Sequence, residues 1–169
     1  AVQETSGASY IAKSGIYDVT LKFASLDTSK NGAESVNFNI EWNGNNQTIY
    51  GPYVQGKDGQ PLEVGLKIIN RLAIISGLEN GQEPTIEQET HKVGKDNKDM
   101  DFAVITDFSD LDVKIRLQEV YSQYNGEIKK KMAVRGFYRE DGASAEEIIN
   151  GTEAGIQMEK DRPYAEKVT

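Results

Sequence analysis

Alternating apolar and polar positions predict strands in the first third of the chain. Every second residue is apolar from Tyr17 to Phe23, and a second alternation runs from Val36 to Trp42. A period of two is typical of strands that bury one face, so we expect Trp42 to belong to the core. Residues 47–54 predict a third, shorter strand, which lies at an edge or bends because it contains a proline.

The apolar period changes in the middle of the chain. From Leu62 to Ile75 apolar residues recur at three- and four-residue spacings, which predicts an amphipathic helix that ends near Gly77. Residues 79–100 are rich in charged side chains and show no period. We expect them to form a long solvated excursion, followed by a short strand over residues 102–105.

A second pair of strands is predicted near the end of the chain. Residues 111–117 alternate, Asn125 and Gly126 form a two-residue turn signal, and residues 128–138 supply the return strand. Beyond them, Ser144 and Glu147 have the spacing of a capping box, which predicts a short helix over residues 144–150. The last twenty residues show no period.

This order predicts a mostly β fold of the α+β class, with three strands, a helix and two further strands. It matches the OB fold, a five-stranded Greek-key barrel, here with one helix between the third and fourth strands and a short C-terminal helix. We expect a flexible arm over residues 1–13, the barrel domain over residues 14–139 and an acidic C-terminal extension over residues 140–169.

Composition excludes several classes of protein. The 169 residues include no cysteine, which excludes a disulfide scaffold and thiolate chemistry and fits a reducing compartment. The longest apolar run, residues 72–75, is far too short to cross a bilayer, and the first residues do not resemble a signal peptide. We therefore expect a soluble intracellular protein that does not bind membranes.

One basic block lies inside this acidic protein. The net charge is −8, yet residues 111–139 contain seven basic and three acidic side chains. With a two-residue turn, Arg116 faces Arg135 and Lys114 faces Phe137 across the hairpin. Like charges in such positions destabilise a sheet, so we expect this face to bind a polyanion. The alternative is a solvated face that protects a sheet edge.

Single-stranded nucleic acid is bound by cations on its phosphates and by rings on its bases. The phosphate-binding candidates are Lys114, Arg116, Lys129, Lys131 and Arg135, with Lys57 as a weaker one. The stacking candidates are Tyr50, Tyr53, Phe137 and Tyr138.

Signals for enzymatic chemistry are weak. His91 is the only histidine, and its charged surroundings favour a solvated side chain over a catalytic one. Asp96, Asp99 and Asp101 lack the spacing of a calcium loop, and no phosphate-binding loop motif is present. We expect no catalytic residue, no metal and no cofactor.

Four stretches of the chain resemble single-stranded-DNA-binding proteins of tailed bacteriophages. They are residues 13–22 (KSGIYDVTLK), 31–35 (NGAES), 53–60 (YVQGKDGQ) and 69–72 (INRL). The likeness covers about residues 10–80, with a looser match over residues 101–139.

The resemblance implies an OB-fold protein that coats single-stranded DNA during phage replication or recombination in the host cytoplasm. It also implies phage replication or recombination proteins as partners. Such proteins often end in an acidic tail that recruits these partners. Residues 140–169 show no clean tail, so we expect either that it was removed or that this relative lacks one.

The leading hypothesis is a non-enzymatic, sequence-independent binder of single-stranded DNA. The alternative is a structural or carbohydrate-binding β-protein, because an amide-rich edge could meet a polar ligand. Its members are Asn37, Asn39, Asn43, Asn45 and Asn46. A third hypothesis is a metal-dependent hydrolase that uses Asp96, Asp99 and Asp101. Salt separates the first two, since phosphate binding weakens steeply with salt.

Overall fold

The computed structural model describes residues 10–78, 82–94 and 96–167, with the backbone alone of Tyr124. These residues form a curled antiparallel sheet of eight strands with three α-helices, so the fold is mostly β. The first elements are β1 (Gly15–Thr28), β2 (Glu34–Trp42), β3 (Asn45–Ile49), β4 (Tyr53–Gln55) and α1 (Glu63–Ser76). They are followed by β5 (Ile86–Val93), β6 (Lys98–Ile105), β7 (Leu111–Tyr124), β8 (Glu127–Arg139), α2 (Ala145–Asn150) and α3 (Ile156–Ala165).

Strand β1 is the centre of the sheet. Along one side it pairs with β2, which in turn pairs with β3 and β4. Along its other side it pairs first with β7, from Gly15 to Leu21, and then with β6, from Ala24 to Leu26. Strand β8 extends the sheet beyond β7. The long first strand therefore pairs with two hairpins at different points along its length, β7–β8 near its start and β5–β6 near its end.

The core lies on the concave side of this half-barrel. Its largest fully buried side chains include Leu21, Phe38, Ile40, Ile115 and Leu117, all on alternating strand positions. Helix α1 closes the core with its own apolar face, which buries Ile68, Leu72 and Ile75. The predicted alternation of β2 from Val36 to Ile40 and the predicted helical face are thus confirmed. On β1 the register shifts after Leu21, so Phe23 faces outward instead of into the core. Trp42 is only half-buried, edge-on to Tyr17.

Helix α1 requires glycine at two places. A Cβ atom on Gly65 would lie 1.9 Å from the backbone oxygen of Tyr53, so the helix packs against β4 as closely as it does because this side chain is absent. Gly77 ends the helix in the left-handed region, with φ of 94°, and its N–H bonds back to the last turn. The predicted end of the helix is confirmed.

The number of strands exceeds the five expected. The predicted third strand is divided into β3 and β4 by the cis peptide bond at Gly51–Pro52. The predicted solvated excursion over residues 79–100 is wrong, because the β5–β6 hairpin occupies most of it. Most side chains of β5 are exposed or half-exposed on both faces. A strand of this kind has no apolar alternation by which the sequence could reveal it.

The arm and the extension are parts of the fold. Ile11 is buried in the core, which corrects the expectation of a flexible arm over its described residues; residues 1–9 lie outside them. The predicted capping box at Ser144 and Glu147 is confirmed, and α2 packs against α1. Helix α3, which the sequence did not predict, packs against β1 and β7. In the described part of the chain no helix has the length and apolar content needed to cross a membrane.

Candidate nucleic-acid interface

The β7–β8 hairpin has two halves that a bulge separates. From the turn to the pair Leu117–Val134 the register is the one predicted, with opposite positions that sum to 251. Arg135 then has no partner position, and Arg116 pairs with Gly136. We call residues 111–116 and 136–139 the near half, and residues 117–124 and 127–134 the far half. The predicted pairs Arg116–Arg135 and Lys114–Phe137 are therefore wrong, because one extra residue on β8 shifts the register.

The cations of the near half have acidic partners. The Nζ of Lys114 forms an ion pair with Asp18 on β1. An Nη1 of Arg116 lies 4.0 Å from Asp161 on α3, and both side chains are mostly buried. Arg139, at the end of β8, binds Asp141 at 2.8 Å and lowers the pKa of that carboxyl group to about 2. The near half therefore offers little uncompensated positive charge to a phosphate.

The rings of the near half are also inaccessible, which corrects two predicted stacking residues. Phe137 points into the core, where its ring centre lies 5.1 Å from that of Phe38. Tyr138 points to the outer face, but α3 covers it, and its hydroxyl donates to Asp161 at 2.6 Å. Burial and this carboxylate raise the pKa of Tyr138. Neither ring is free to stack on a base.

The far half keeps its cations exposed. Lys129 and Lys131 lie on its outward face, opposite Ser122 and Val120, and both are exposed. Neither forms an ion pair with a carboxylate of the described residues. Arg135, at the bulge, is exposed as well, and its Nε donates to Gln118 at 2.7 Å. Three predicted phosphate-binding residues thus lie together on one accessible surface.

The remaining predicted residues lie at β3, at β4 and in the turn that follows β4. Tyr50 follows β3 and is 68% exposed, and Tyr53 begins β4 and is 52% exposed. Lys57 is exposed in the turn between β4 and α1. These rings are accessible, as stacking requires.

A groove of about 830 Å³ runs over the outer face of the sheet, between the β2–β3 hairpin and the β5–β6 hairpin. Tyr10 and Tyr50 are its exposed rings. Two further rings stack within the groove, those of Phe23 on the outward side of β1 and His91 on β5. Their ring centres lie 3.9 Å apart and their planes differ by 12°. Sequence reasoning missed Tyr10, Phe23 and His91, because two lie in segments without a period and Phe23 was expected to face the core.

The groove is lined mainly by uncharged polar side chains. From the amide-rich edge, Asn39, Asn45 and Asn46 line it. The Oδ1 of Asn39 accepts a hydrogen bond from the Thr48 hydroxyl at 2.8 Å, so the amide nitrogen of Asn39 points away from Thr48. Asn37 does not belong to the groove, since it is buried and accepts from the N–H of Gly51. The Asn43 backbone forms the hairpin turn, with φ of 50°.

The charges of the groove compensate each other. Lys22 lies 4.0 Å from Asp110. The Nε2 of His91 lies 2.8 Å from Glu89, so the predicted solvated histidine is instead stacked and hydrogen-bonded. Lys92 binds Asp99 at 3.0 Å. This surface is therefore suited to flat or polar uncharged groups, whereas the far half of the β7–β8 hairpin is suited to anions.

The aspartates that suggested a metal site are used within the β5–β6 hairpin. Asp99 binds Lys92, and Asp101 accepts from Thr90 at 2.6 Å. Among the residues that the structure describes, no cluster of three or more metal-ligating side chains is found. Comparison with protein-family models and with curated proteins finds no match to this chain.

Proposed function

We propose that this protein binds single-stranded DNA without sequence preference and performs no catalysis. Bases occupy the groove, where Tyr50 and its neighbours provide stacking surfaces. Phosphates contact Lys129 and Lys131 on the far half of the β7–β8 hairpin and Arg135 at its bulge. The predicted residues Lys114, Arg116, Phe137 and Tyr138 take no part, because they are neutralised or covered.

The groove is the observation that carries the proposal. Single-stranded nucleic acid is bound where accessible rings lie in a channel that follows the strand, and every base offers a face on which a ring can stack. Two exposed tyrosines lie in this groove, on a surface without a net excess of acidic side chains beside them. The groove supplies the stacking surfaces, and the cations of the β7–β8 hairpin supply the positive charge that phosphate binding requires.

The order of the strands supports an OB-type barrel. If β3 and β4 are taken as one strand and the β5–β6 hairpin as an insertion, five strands remain, with α1 before the last two. Proteins with this barrel bind oligonucleotides or oligosaccharides on the face of the second and third strands. The groove runs over the outer face of β2 and β3. The resemblance in sequence extends the proposal to phage DNA replication or recombination in the host cytoplasm.

The test is a titration of the protein with labelled oligo-dT, at about 50 and 300 mM salt, followed by fluorescence anisotropy. We expect saturable binding that weakens with salt. Tyr50→Ala should reduce the affinity by about fivefold or more, since a stacked base contributes about 1–3 kcal/mol.

Tyr164→Ala is the matched control, because Tyr164 on α3 is 62% exposed and does not line the groove. It should leave the affinity unchanged. Absence of binding at the lower salt, with the fold intact by circular dichroism, would refute the proposal.

The amide lining of the groove favours one other function, carbohydrate binding. Asn39, Asn46 and Thr48 could donate to and accept from sugar hydroxyls, and Tyr50 could cover a sugar face. Contacts of this kind barely respond to salt, whereas phosphate contacts release counterions. Binding of neutral oligosaccharides that is equal at both salt concentrations, without binding of oligo-dT, would select this function.

A further inference from the structure

Residues 11–14 form a strap across the open side of the half-barrel. Strands β3 and β8 approach each other there, but in the described structure no backbone ladder joins them. The strap bridges the gap, because it contacts β3 on one side and the β7–β8 hairpin on the other. Tyr10 immediately precedes it and lines the groove.

The contact with β3 is made by one side chain. The N–H of Ile11 donates to the Oε1 of Gln47 at 2.8 Å, and the Nε2 of Gln47 donates to the Ile11 carbonyl at 3.1 Å. Both ends of the amide are therefore used by the same residue of the strap. The side chain of Ile11 is only 2% exposed and belongs to the hydrophobic core, so it anchors the strap to the barrel interior.

The contacts with the hairpin fix the other end of the strap. The Nζ of Lys130 donates to the Ala12 carbonyl at 2.6 Å. The N–H of Ser14 donates to Glu119 at 3.3 Å, and the Ser14 hydroxyl accepts from the N–H of Glu119 at 2.8 Å. The Ser14 N–H is the main cause of a lowered pKa at Glu119. The strap is thus held at both sides before any ligand binds.

From this geometry we infer that Tyr10 is a ligand-binding residue and that Gln47 positions it. The inference rests on the proposed function. A ring at the end of an anchored segment loses less conformational freedom on binding than a ring on a mobile one, and preorganisation of this kind raises affinity. Tyr10 is half exposed in the groove that also contains Tyr50, so each ring can stack on a different base of the same strand.

Two substitutions test the two roles, with oligo-dT as the probe. Tyr10→Ala should lower the affinity by about fivefold or more, and Tyr10→Phe, which keeps the ring, should retain it. Gln47→Met keeps the length of the side chain and removes both bonds to Ile11. We expect it to weaken binding severalfold and to accelerate amide hydrogen exchange at Ile11.

Gln88→Met is the control for Gln47→Met, since it makes the same exchange at an exposed amide that belongs neither to the groove nor to the contacts of the strap, and it should leave the affinity unchanged. The double variant shows whether Gln47 acts through Tyr10. If it does, Gln47→Met causes no further loss in a chain that already carries Tyr10→Ala. Losses that multiply would mean that Gln47 contacts the ligand itself, and would overturn its positioning role.

The outcomes separate this inference from the proposed function. Binding of oligo-dT that Tyr50→Ala weakens but Tyr10→Ala leaves unchanged would overturn the role of Tyr10 and leave the function standing. Absence of binding by the unaltered protein would overturn both.

Discussion

The two halves of the β7–β8 hairpin both carry basic side chains but differ in what surrounds those side chains. Both carry cations on the outward face and belong to the same pair of strands. In the near half, Asp18 and Asp161 neutralise Lys114 and Arg116, and α3 covers Tyr138. In the far half, Lys129 and Lys131 remain exposed. Alternation in the sequence predicts which basic side chains share one face of a strand. That face can bind a ligand only where no other element of the chain covers or neutralises it.

The largest expected difference between the halves concerns stability. Phe137→Ala in the near half should reduce the free energy of unfolding by about 3–5 kcal/mol, because it leaves a cavity beside Phe38. Ile128→Ala in the far half should change it by less than about 0.5 kcal/mol, since Ile128 is 74% exposed. Urea unfolding of both variants measures the two changes in the free energy of unfolding. Equal losses would mean that the far half is packed as firmly as the near half.

The next difference concerns the salt dependence of binding. Each phosphate contact to a single strand contributes about 0.7 to the slope of log affinity against log salt. Replacing Lys129 and Lys131 by Gln should therefore lower the slope by about 1.4. Arg116→Gln should lower it much less, because Asp161 already compensates this charge.

The control for the lysine pair replaces Lys30 and Lys160 by Gln, which changes the net charge equally at exposed positions elsewhere. Its slope should equal that of the unaltered protein. A slope that falls more with Arg116→Gln than with the lysine pair would reverse the assignment of the two halves.

The smallest effect is expected at acid pH, in the segment that covers the near half. Glu147 accepts from the N–H groups of Ser144, Gly155 and Gln157, and these bonds lower its pKa. A lowered pKa in the folded state stabilises the protein above the unfolded pKa near 4.5, and this contribution is lost as the pH falls through the folded value.

Hydrogen exchange measures this loss. Acidification below about pH 4.5 should lower the protection of the α3 amides, relative to their intrinsic exchange rate at each pH, before it lowers that of the far half of the hairpin. Glu147→Gln should produce the same change at neutral pH, because its amide nitrogen cannot accept from the N–H of Gln157. Exchange in α3 that is unaffected by the substitution would show that other contacts hold the helix in place.

The sequence predicts most of the fold where burial is one-sided. Tyr17–Phe23, Val36–Trp42 and the hairpin turn at Asn125–Gly126 show their patterns clearly, and so does the α1 helix. The β5–β6 hairpin and α3 have no such pattern. Their positions depend on tertiary contacts, such as the pairing of β6 with β1, the stacking of His91 on Phe23 and the bond from Tyr138 to Asp161. Pairs this distant along the chain leave no local periodicity.

The candidate site was predicted less completely than the fold. Of the predicted site residues, Tyr50, Tyr53, Lys129 and Lys131 are accessible, whereas one bulge at Arg135 alters the register of the near half. Residue type alone did not reveal it. The sequence does not predict the position of Tyr10, because the strap is held by side-chain hydrogen bonds, and such bonds produce no periodic pattern in the sequence.

The strap also has a consequence for the order in which the chain folds. Its bonds from Ala12 to Lys130 and from Ser14 to Glu119 join residues 118 and 105 positions apart. During synthesis the residues of the strap leave the ribosome well before their partners on the hairpin exist. Contacts between such distant positions form late and slow the folding of a domain. The open side of the half-barrel is therefore closed late, by a segment that is made well before the strands it joins.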